Sequence, residues 1–367
     1  MTLSVKKKVL NWVEPWVELA TFGLDISDLA VKYVKFRKGN SGDTELFGEV
    51  ALPPGLIENG EIKKEEELSR ILTSWFSGEG KELRPYFATV SLPEEKGFLR
   101  LIQLPKVKRD EVASAVRWEM EGNIPLPLEE LVYDYEVIEP EDPFDHLDVM
   151  IAAFPKTILE LYVRVLKSAG LRPWALELES QAVVRALFPF LANGDAKIVL
   201  DIGRSRTGLI VVAGNTVIYT TTFSFGGRLL EENLMRNLNI SAAEALAVKK
   251  ETGLDLRAYE GKLMEVFLPV LSPLSDEINR AVIFYQSHPS HVHGVSGFVK
   301  EILLVGGDAN LLGLETYLSS SLKIPARAVD FRRVLSPRPT SIPEIPKNES
   351  LGYATAIGLA LRSAGNY

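Results

Sequence analysis

Apolar and polar positions fall into short blocks whose period switches repeatedly between the two of a strand and the 3.6 of a helix. Two apolar runs end on an aspartate, Phe22-Gly23-Leu24-Asp25-Ile26-Ser27 and Ile198-Val199-Leu200-Asp201-Ile202-Gly203, and each precedes a second strand-like run, Ala30 to Phe36 and Leu209 to Val212. Each predicts a strand carrying Asp at its end, a tight turn and a returning strand. Gly214-Asn215, lying between Leu209 to Val212 and Thr220-Thr221-Thr222, predicts a further hairpin. Helical spacing is clear elsewhere. Ile158, Leu161, Tyr162 and Val165 share a face within Lys156 to Ala169, with Gly170 as the stop. Leu230, Leu234 and Leu238 do the same, and Ser241-Ala-Ala-Glu244 is a capping box opening the next helix. Val112, Val116 and Met120 line the inner face of a helix over Arg109 to Gly122, leaving Trp118 on another face, where it packs on a neighbouring subdomain or anchors a partner. A helix from about Ser275 carries Ile278, Val282 and Tyr285. A strand over Glu301 to Val305 enters Gly306-Gly307, with a helix over Leu311 to Leu322 beyond it. Strands alternating with helices predict an α/β protein.

The two Leu-Asp-Ile triplets lie about half a chain apart, which suggests two halves of one plan. Ser180 to Leu187 and Tyr353 to Leu361 are both apolar helices that close a half. The Pro-rich segment from Ser336 to Pro346 reads as an exposed loop.

With 367 residues, 46% apolar and 25% charged, the chain has room for two or three globular domains. A formal charge of -8 argues against nucleic acid as the main partner. The absence of cysteine removes disulfides, thiolate nucleophiles and Cys-ligated metals together. The longest uncharged stretch, Thr207 to Gly227, contains the hairpin signals, so it predicts no membrane span. Lys6-Lys7-Lys8 leads into Trp12 and Trp16, but Asn11, Glu14 and Pro15 do not suit a secretory signal. Residues 1–20 are expected to be a flexible or interfacial segment, and the chain to be cytoplasmic.

Asp at a strand end beside a glycine turn suits a magnesium polyphosphate, because Mg²⁺ needs only one or two carboxylates when phosphate oxygens and water complete its shell. Asp25 and Asp201 are the candidates for it, and an Asp merely capping its turn is the plain alternative. Gly306-Gly307, and more weakly Gly226-Gly227, can let the backbone approach an anion at a helix start. There is no Gly-x-x-x-x-Gly-Lys-Ser/Thr and no Gly-x-Gly-x-x-Gly opening a helix. His288, His291 and His293 invite a zinc reading, but their Ser, Pro and Gly neighbours describe a solvated turn. With His146 the only other histidine, a hydrolytic triad is weakly supported.

Together these residues resemble the actin-like ATPase superfamily: a first phosphate turn at Asp25 to Asp28, a connecting helix from Ser180, a second phosphate turn at Asp201 to Thr207, an adenosine motif at Gly306 to Gly313, and a final helix from Leu351. More narrowly, Arg117-Trp118-Glu119-Met120-Glu121, Ile124-Pro125-Leu126-Pro127-Leu128-Glu129-Glu130, Tyr133-Asp134-Tyr135, Ala169-Gly170-Leu171-Arg172-Pro173, Leu176 to Ser180 and Phe225-Gly226-Gly227-Arg228 resemble the PilM family of type IV pilus assembly. The resemblance spans about residues 20–362. It implies a bilobed actin-like, ribonuclease H-like fold of two duplicated α/β lobes. Its subdomains would be 21–98 with 150–190, an insert at 99–149, 191–239 with 299–367, and 240–298.

The resemblance also implies ATP and Mg²⁺ in an interlobe cleft. Gly23, Asp25, Ser27, Asp201, Gly203, Ser205, Thr207, Gly226, Gly227, Gly306 and Gly307 would hold the nucleotide, with Asp25 and Asp201 on the metal through water. Glu277 and Arg280 would flank the adenine, though surface i,i+3 pairing also explains them. Glu179 and Gln181 stand where relatives orient the attacking water. Ser27-Asp28 replaces the Gly-Ser usual in the family, and a carboxylate at Asp28 would face the phosphates if the loop kept its shape. Hydrolysis is therefore expected to be slow or undetectable. The implied partner is the cytoplasmic N-terminal segment of a PilN-like membrane protein, docked between the first lobe's main subdomain and the insert, with other pilus platform and motor components as further candidates. This would hold the chain at the inner membrane. Two alternatives stay open: a phosphotransferase of the sugar or acetate kinase class, for which no separate substrate-base Asp motif is found, and an FtsA-like filament-forming anchor, whose amphipathic end is unlike Ala364-Gly365-Asn366-Tyr367.

Overall fold

The computed structural model describes residues 21–37, 43–84, 86–108, 110–138, 145–191, 194–255, 259, 262–287, 297–335 and 345–363. The N-terminal segment, the His288, His291 and His293 cluster and most of the Pro-rich segment lie outside the described residues. Two compact units divide the chain: unit 1 is Met1–Ser41, Gly48–Leu178 and Leu359–Tyr367, and unit 2 is Gly42–Phe47 and Glu179–Gly358.

In unit 1 the strands are β1 (Thr21–Ile26), β2 (Ala30–Phe36), β3 (Thr44–Ala51), the short pair β4 (Ile57–Glu58) and β5 (Glu61–Ile62), and, after helix α1 (Glu65–Ser77), β6 (Phe87–Leu92). Next come β7 (Phe98–Pro105), α2 (Val112–Asn123), β8 (Leu131–Ile138), β9 (His146–Pro155), α3 (Lys156–Ser168) and β10 (Arg172–Leu178). The main sheet has the order β10-β6-β1-β2-β3. β1 is antiparallel to β2 and parallel to β6, and its alternate residues Phe22, Leu24 and Ile26 are buried. α1 buries Leu68, Leu72 and Phe76 at helical spacing, while α3 buries Tyr162, Val165 and Leu166 and ends before Gly170 at φ 82°.

The insert is a second sheet, β7-β9-β8, wholly antiparallel, with α2 on one face. Val112, Val116 and Met120 of α2 pack with Leu104, Ile124, Leu128, Leu131, Val149, Ile151 and Ala153 into a core of its own. Trp118 points away from that core and is 78% exposed, so it does not pack on a neighbouring subdomain.

Unit 2 opens with α4 (Glu179–Leu191), then β11 (Ala196–Ile202), β12 (Thr207–Ala213), β13 (Thr216–Phe223), α5 (Gly227–Leu238), α6 (Ala242–Ala247) and α7 (Lys262–Ser287). β14 (Val299–Val305), α8 (Leu314–Leu322) and β15 (Ala326–Ala328) follow, and then α9 (Ala354–Ser363), whose residues from Leu359 belong to unit 1. Sheet order is β13-β12-β11-β14-β15, with β11, apolar over Ile198 to Leu200, and β14, apolar over Ile302 to Val305, parallel at its centre. Each Asp-bearing strand thus has an antiparallel hairpin partner on one side and a parallel strand on the other, and the two sheets share one plan. The β12–β13 turn falls at Gly214-Asn215 as expected.

The largest departure is α7. The spacing predicts a start near Ser275, yet the helix begins at Lys262 and runs through Pro269 and Pro273. A proline inside a helix costs about 3 kcal/mol; burial of Leu263, Val266, Phe267, Val270, Leu271 and Leu274 along one face offsets it.

Candidate functional site

In unit 1 the Asp25 carboxylate accepts the Ser91 hydroxyl at 2.9 Å, and Ser91 Oγ accepts the Ile26 N–H at 2.9 Å. Ser91 stands near the end of β6, the parallel neighbour of β1, so two adjacent strand ends lock the turn. Ser27 closes it, donating both its N–H and its hydroxyl to the Ala30 carbonyl at 2.9 Å. Gly23 lies upstream of the turn, in register with Val34 and Thr89 inside the sheet.

Asp28 corrects an expectation. Its carboxylate is turned to the β4–β5 hairpin, where it accepts the N–H groups of Asn59 and Gly60 at 3.0 Å each. Both residues have positive φ, 49° and 71°, the geometry of a tight hairpin turn. The amides of that turn point at Asp28 together, and charge-assisted bonds to them fix the side chain on the hairpin.

In unit 2 three segments converge. The Gly203 N–H donates to the Arg206 carbonyl at 2.9 Å, and the Thr207 hydroxyl donates to the Phe225 carbonyl at 2.8 Å. The first amides of α5, from Gly227 and Arg228, donate to the carbonyls of Gly203 and Arg204 at 3.2 and 2.8 Å. A Cβ on Gly226 would meet those same two carbonyls at 2.6 Å, and a Cβ on Gly306, at φ 93°, would run into Ile202 and the Asp201 carboxylate. Asp201, Gly203, Gly226, Gly227 and Gly306 are therefore one cluster, with Thr207 tied beneath it. Gly307 opens on free space, with nothing within 4 Å of where its Cβ would be. Ser205 is exposed on the same turn.

Charged side chains surround this cluster. Arg206 donates to Glu179 at the start of α4 at 2.9 Å, and both side chains are mostly buried, at 18% and 17% exposure. Arg204 bonds Glu231 of α5 through both terminal nitrogens, at 3.1 and 2.8 Å. Lys249, 7% exposed, reaches Glu231 at 2.7 Å and Asp308 at 2.5 Å. Gln181 sits half-buried on α4. Glu277 and Arg280 pair with each other one turn apart on α7, with Arg280 largely exposed, as surface pairing requires.

Ser91, Glu231, Lys249 and Asp308 escape the sequence reading. The one signal pointing to any of them is the acidic residue directly after Gly306-Gly307, which interrupts an otherwise small-residue turn.

A magnesium nucleotide can be tested against these residues. Close-packed glycines, a strand-end carboxylate and open space at Gly307 fit the approach of a polyphosphate. One residue does not fit as it stands: a Cβ on Gly227 would overlap the Asp308 carboxylate, so Asp308 already covers the face of Gly227.

The model of the family described as type IV pilus assembly protein PilM matches residues 23–364. A structure described as a PilM-PilN type IV pilus biogenesis complex is similar at 25% identity, covering 95% of this chain and 99% of the other, with a TM-score of 0.78. EutJ, the ethanolamine utilization protein from Carboxydothermus hydrogenoformans, is similar at 17% identity over 93% of this chain and 88% of its own, with a TM-score of 0.53. MreB5 of Spiroplasma citri, bound to ADP, is similar at 11% identity over 92% and 94%, with a TM-score of 0.54. The last two establish likeness of fold.

Proposed function

The chain belongs to the PilM family of type IV pilus assembly proteins, and from that membership we propose that it is an actin-like scaffold docking the cytoplasmic N-terminal segment of a PilN-like membrane protein. What carries this reading is the likeness to the PilM-PilN complex over 95% of the chain. Among the described residues no helix is long and apolar enough to cross a membrane. The proposed attachment to the inner membrane is through the partner.

The inserted subdomain supports a peptide site. Ile124, Pro125, Leu126, Pro127 and Leu128 line a depression of about 350 Å³ that Glu121 and Glu129 flank. Apolar side chains near a partner's N-terminal cation suit such a floor and rim. Because the insert has its own core, the surface is preformed and needs no nucleotide.

An adenine nucleotide with Mg²⁺ belongs to the same proposal, as a structural ligand. Asp201, Gly203 and Gly307 would hold it in unit 2, and in unit 1 the Asp25–Ser27 turn repeats the topology of the Asp201 turn. When bound it would supply a polyanion and its metal to the glycine cluster of unit 2.

Calorimetric titration of the full chain with a synthetic peptide from a PilN-like N-terminus tests the docking. Binding at micromolar concentration or tighter is expected, equal with and without Mg-ADP. Leu126→Glu, checked by thermal melting, should weaken it at least tenfold, about 1.4 kcal/mol. Unchanged affinity in that variant would move the peptide elsewhere, and no binding by wild type would remove the docking reading.

A further inference from the structure

We propose that Asp308 is an internal competitor that keeps the unit 2 nucleotide site closed until a ligand displaces it. The inference rests on the nucleotide reading above and goes beyond it by naming what the ligand must move.

The carboxylate of Asp308 supplies the three nearest atoms to the missing Cβ of Gly227, so it covers the face of the residue that opens α5. Its neighbour Gly307 faces free space, with nothing from the rest of the chain within 4 Å of where its Cβ would be. The side chain is anchored there. Lys249 bonds it at 2.5 Å and Glu231 at 2.7 Å, and Glu231 is gripped by Arg204 on the 203–207 turn. Arg204, Glu231, Lys249 and Asp308 thus form a ladder of two cations and two carboxylates, with Lys249 and Glu231 almost fully buried. The ladder is neutral as it stands.

An incoming polyanion meets this arrangement in two ways. The Asp308 carboxylate repels it, the more strongly because the surroundings are partly dry. Lys249, the buried cation that could attract it, is already committed to two carboxylates. Binding therefore requires the Lys249–Asp308 pair to open, and the apparent affinity falls by the fraction of molecules in the open state. Removing only Asp308 leaves Lys249 compensated by Glu231, so the fold should tolerate the change.

Calorimetric titration of wild type, Asp308→Gly and Asp308→Asn with Mg-ADP, each checked by thermal melting, tests the proposal. Asp308→Gly clears the face of Gly227 and removes the charge; its dissociation constant should fall at least tenfold below wild type. Asp308→Asn keeps the bulk but loses the ionic anchor, and should fall between the two, which also serves if the glycine variant fails to fold. Equal affinity in wild type and both variants would overturn the competitor while leaving the nucleotide reading intact. Absence of binding in all three would overturn both, with peptide binding still able to stand.

Discussion

Asp28 shows how an acidic side chain in a turn is absorbed by its surroundings. It stands beside a phosphate-type turn, yet both its oxygens are bonded to the amides of Asn59 and Gly60. Asp28→Ala leaves those two amides to find water, and loss of hydrogen bonds to a charged acceptor costs about 1.5–3 kcal/mol. Urea unfolding should show that loss as a lower midpoint with unchanged slope. Asp28→Asn, which keeps one acceptor oxygen, should lose about half as much. If Asp28→Ala were as stable as wild type, the bonds would be surface decoration. From sequence Asp28 is expected to face phosphates, and the separation of 31 residues between Asp28 and Asn59 hides the pairing. Arg206 with Glu179 and Lys249 with Asp308 are hidden for the same reason: residue type shows that an ion wants a partner, and only the folded chain says which.

Helices whose signals are local came through intact. The capping box at Ser241 is complete, with the Glu244 N–H donating to Ser241 Oγ at 3.3 Å and the Ser241 N–H donating to the Glu244 carboxylate at 2.8 Å. That backbone bond, and next the Ser241 hydroxyl, hold the Glu244 carboxyl below its ordinary range. Because the native value is lowered, its contribution is complete above the usual carboxylate range and is lost as pH falls through the lowered value. Ser241→Ala removes the capping hydroxyl and should cost about 1 kcal/mol at pH 7, a typical cap loss. The backbone bond to Glu244 remains, so only the part of the gap that comes from the hydroxyl's bond to the carboxylate should be lost when both are unfolded in urea at pH 3. A gap independent of pH would assign the effect to the Glu244 N–H bond to Ser241 Oγ and leave the hydroxyl's bond to the carboxylate without weight. By contrast, the first three turns of α7 were unreadable, because two prolines are a strong local stop signal and only tertiary burial of its apolar face overrides them. The α2 stripe of Val112, Val116 and Met120 was readable to the residue, since a single-faced core leaves its period in the sequence.

At the scale of the whole molecule, the duplication legible in two Leu-Asp-Ile triplets is real in the topology: both sheets place the Asp-bearing strand between an antiparallel hairpin partner and a parallel strand. Duplicated architecture does not by itself make an ATPase, because hydrolysis needs a group free to orient water against a phosphate held in line. Of the two candidates for that task, Glu179 has its carboxylate bonded to Arg206 in a mostly buried pair. Freeing it would break a mostly buried ion pair, at a cost of about 3–5 kcal/mol if the pair were fully buried and less here. Positioning can contribute about 7–11 kcal/mol to a reaction at best, so a carboxylate held away from water by its own partner forfeits a useful part of it. Steady-state phosphate release from Mg-ATP should accordingly stay at the buffer background for wild type, and Glu179→Gln and Gln181→Ala should leave it there. Turnover in wild type that drops a hundredfold or more in either variant would make that residue the water-orienting group and the chain an ATPase; were it Glu179, the pair with Arg206 would have to open in every cycle.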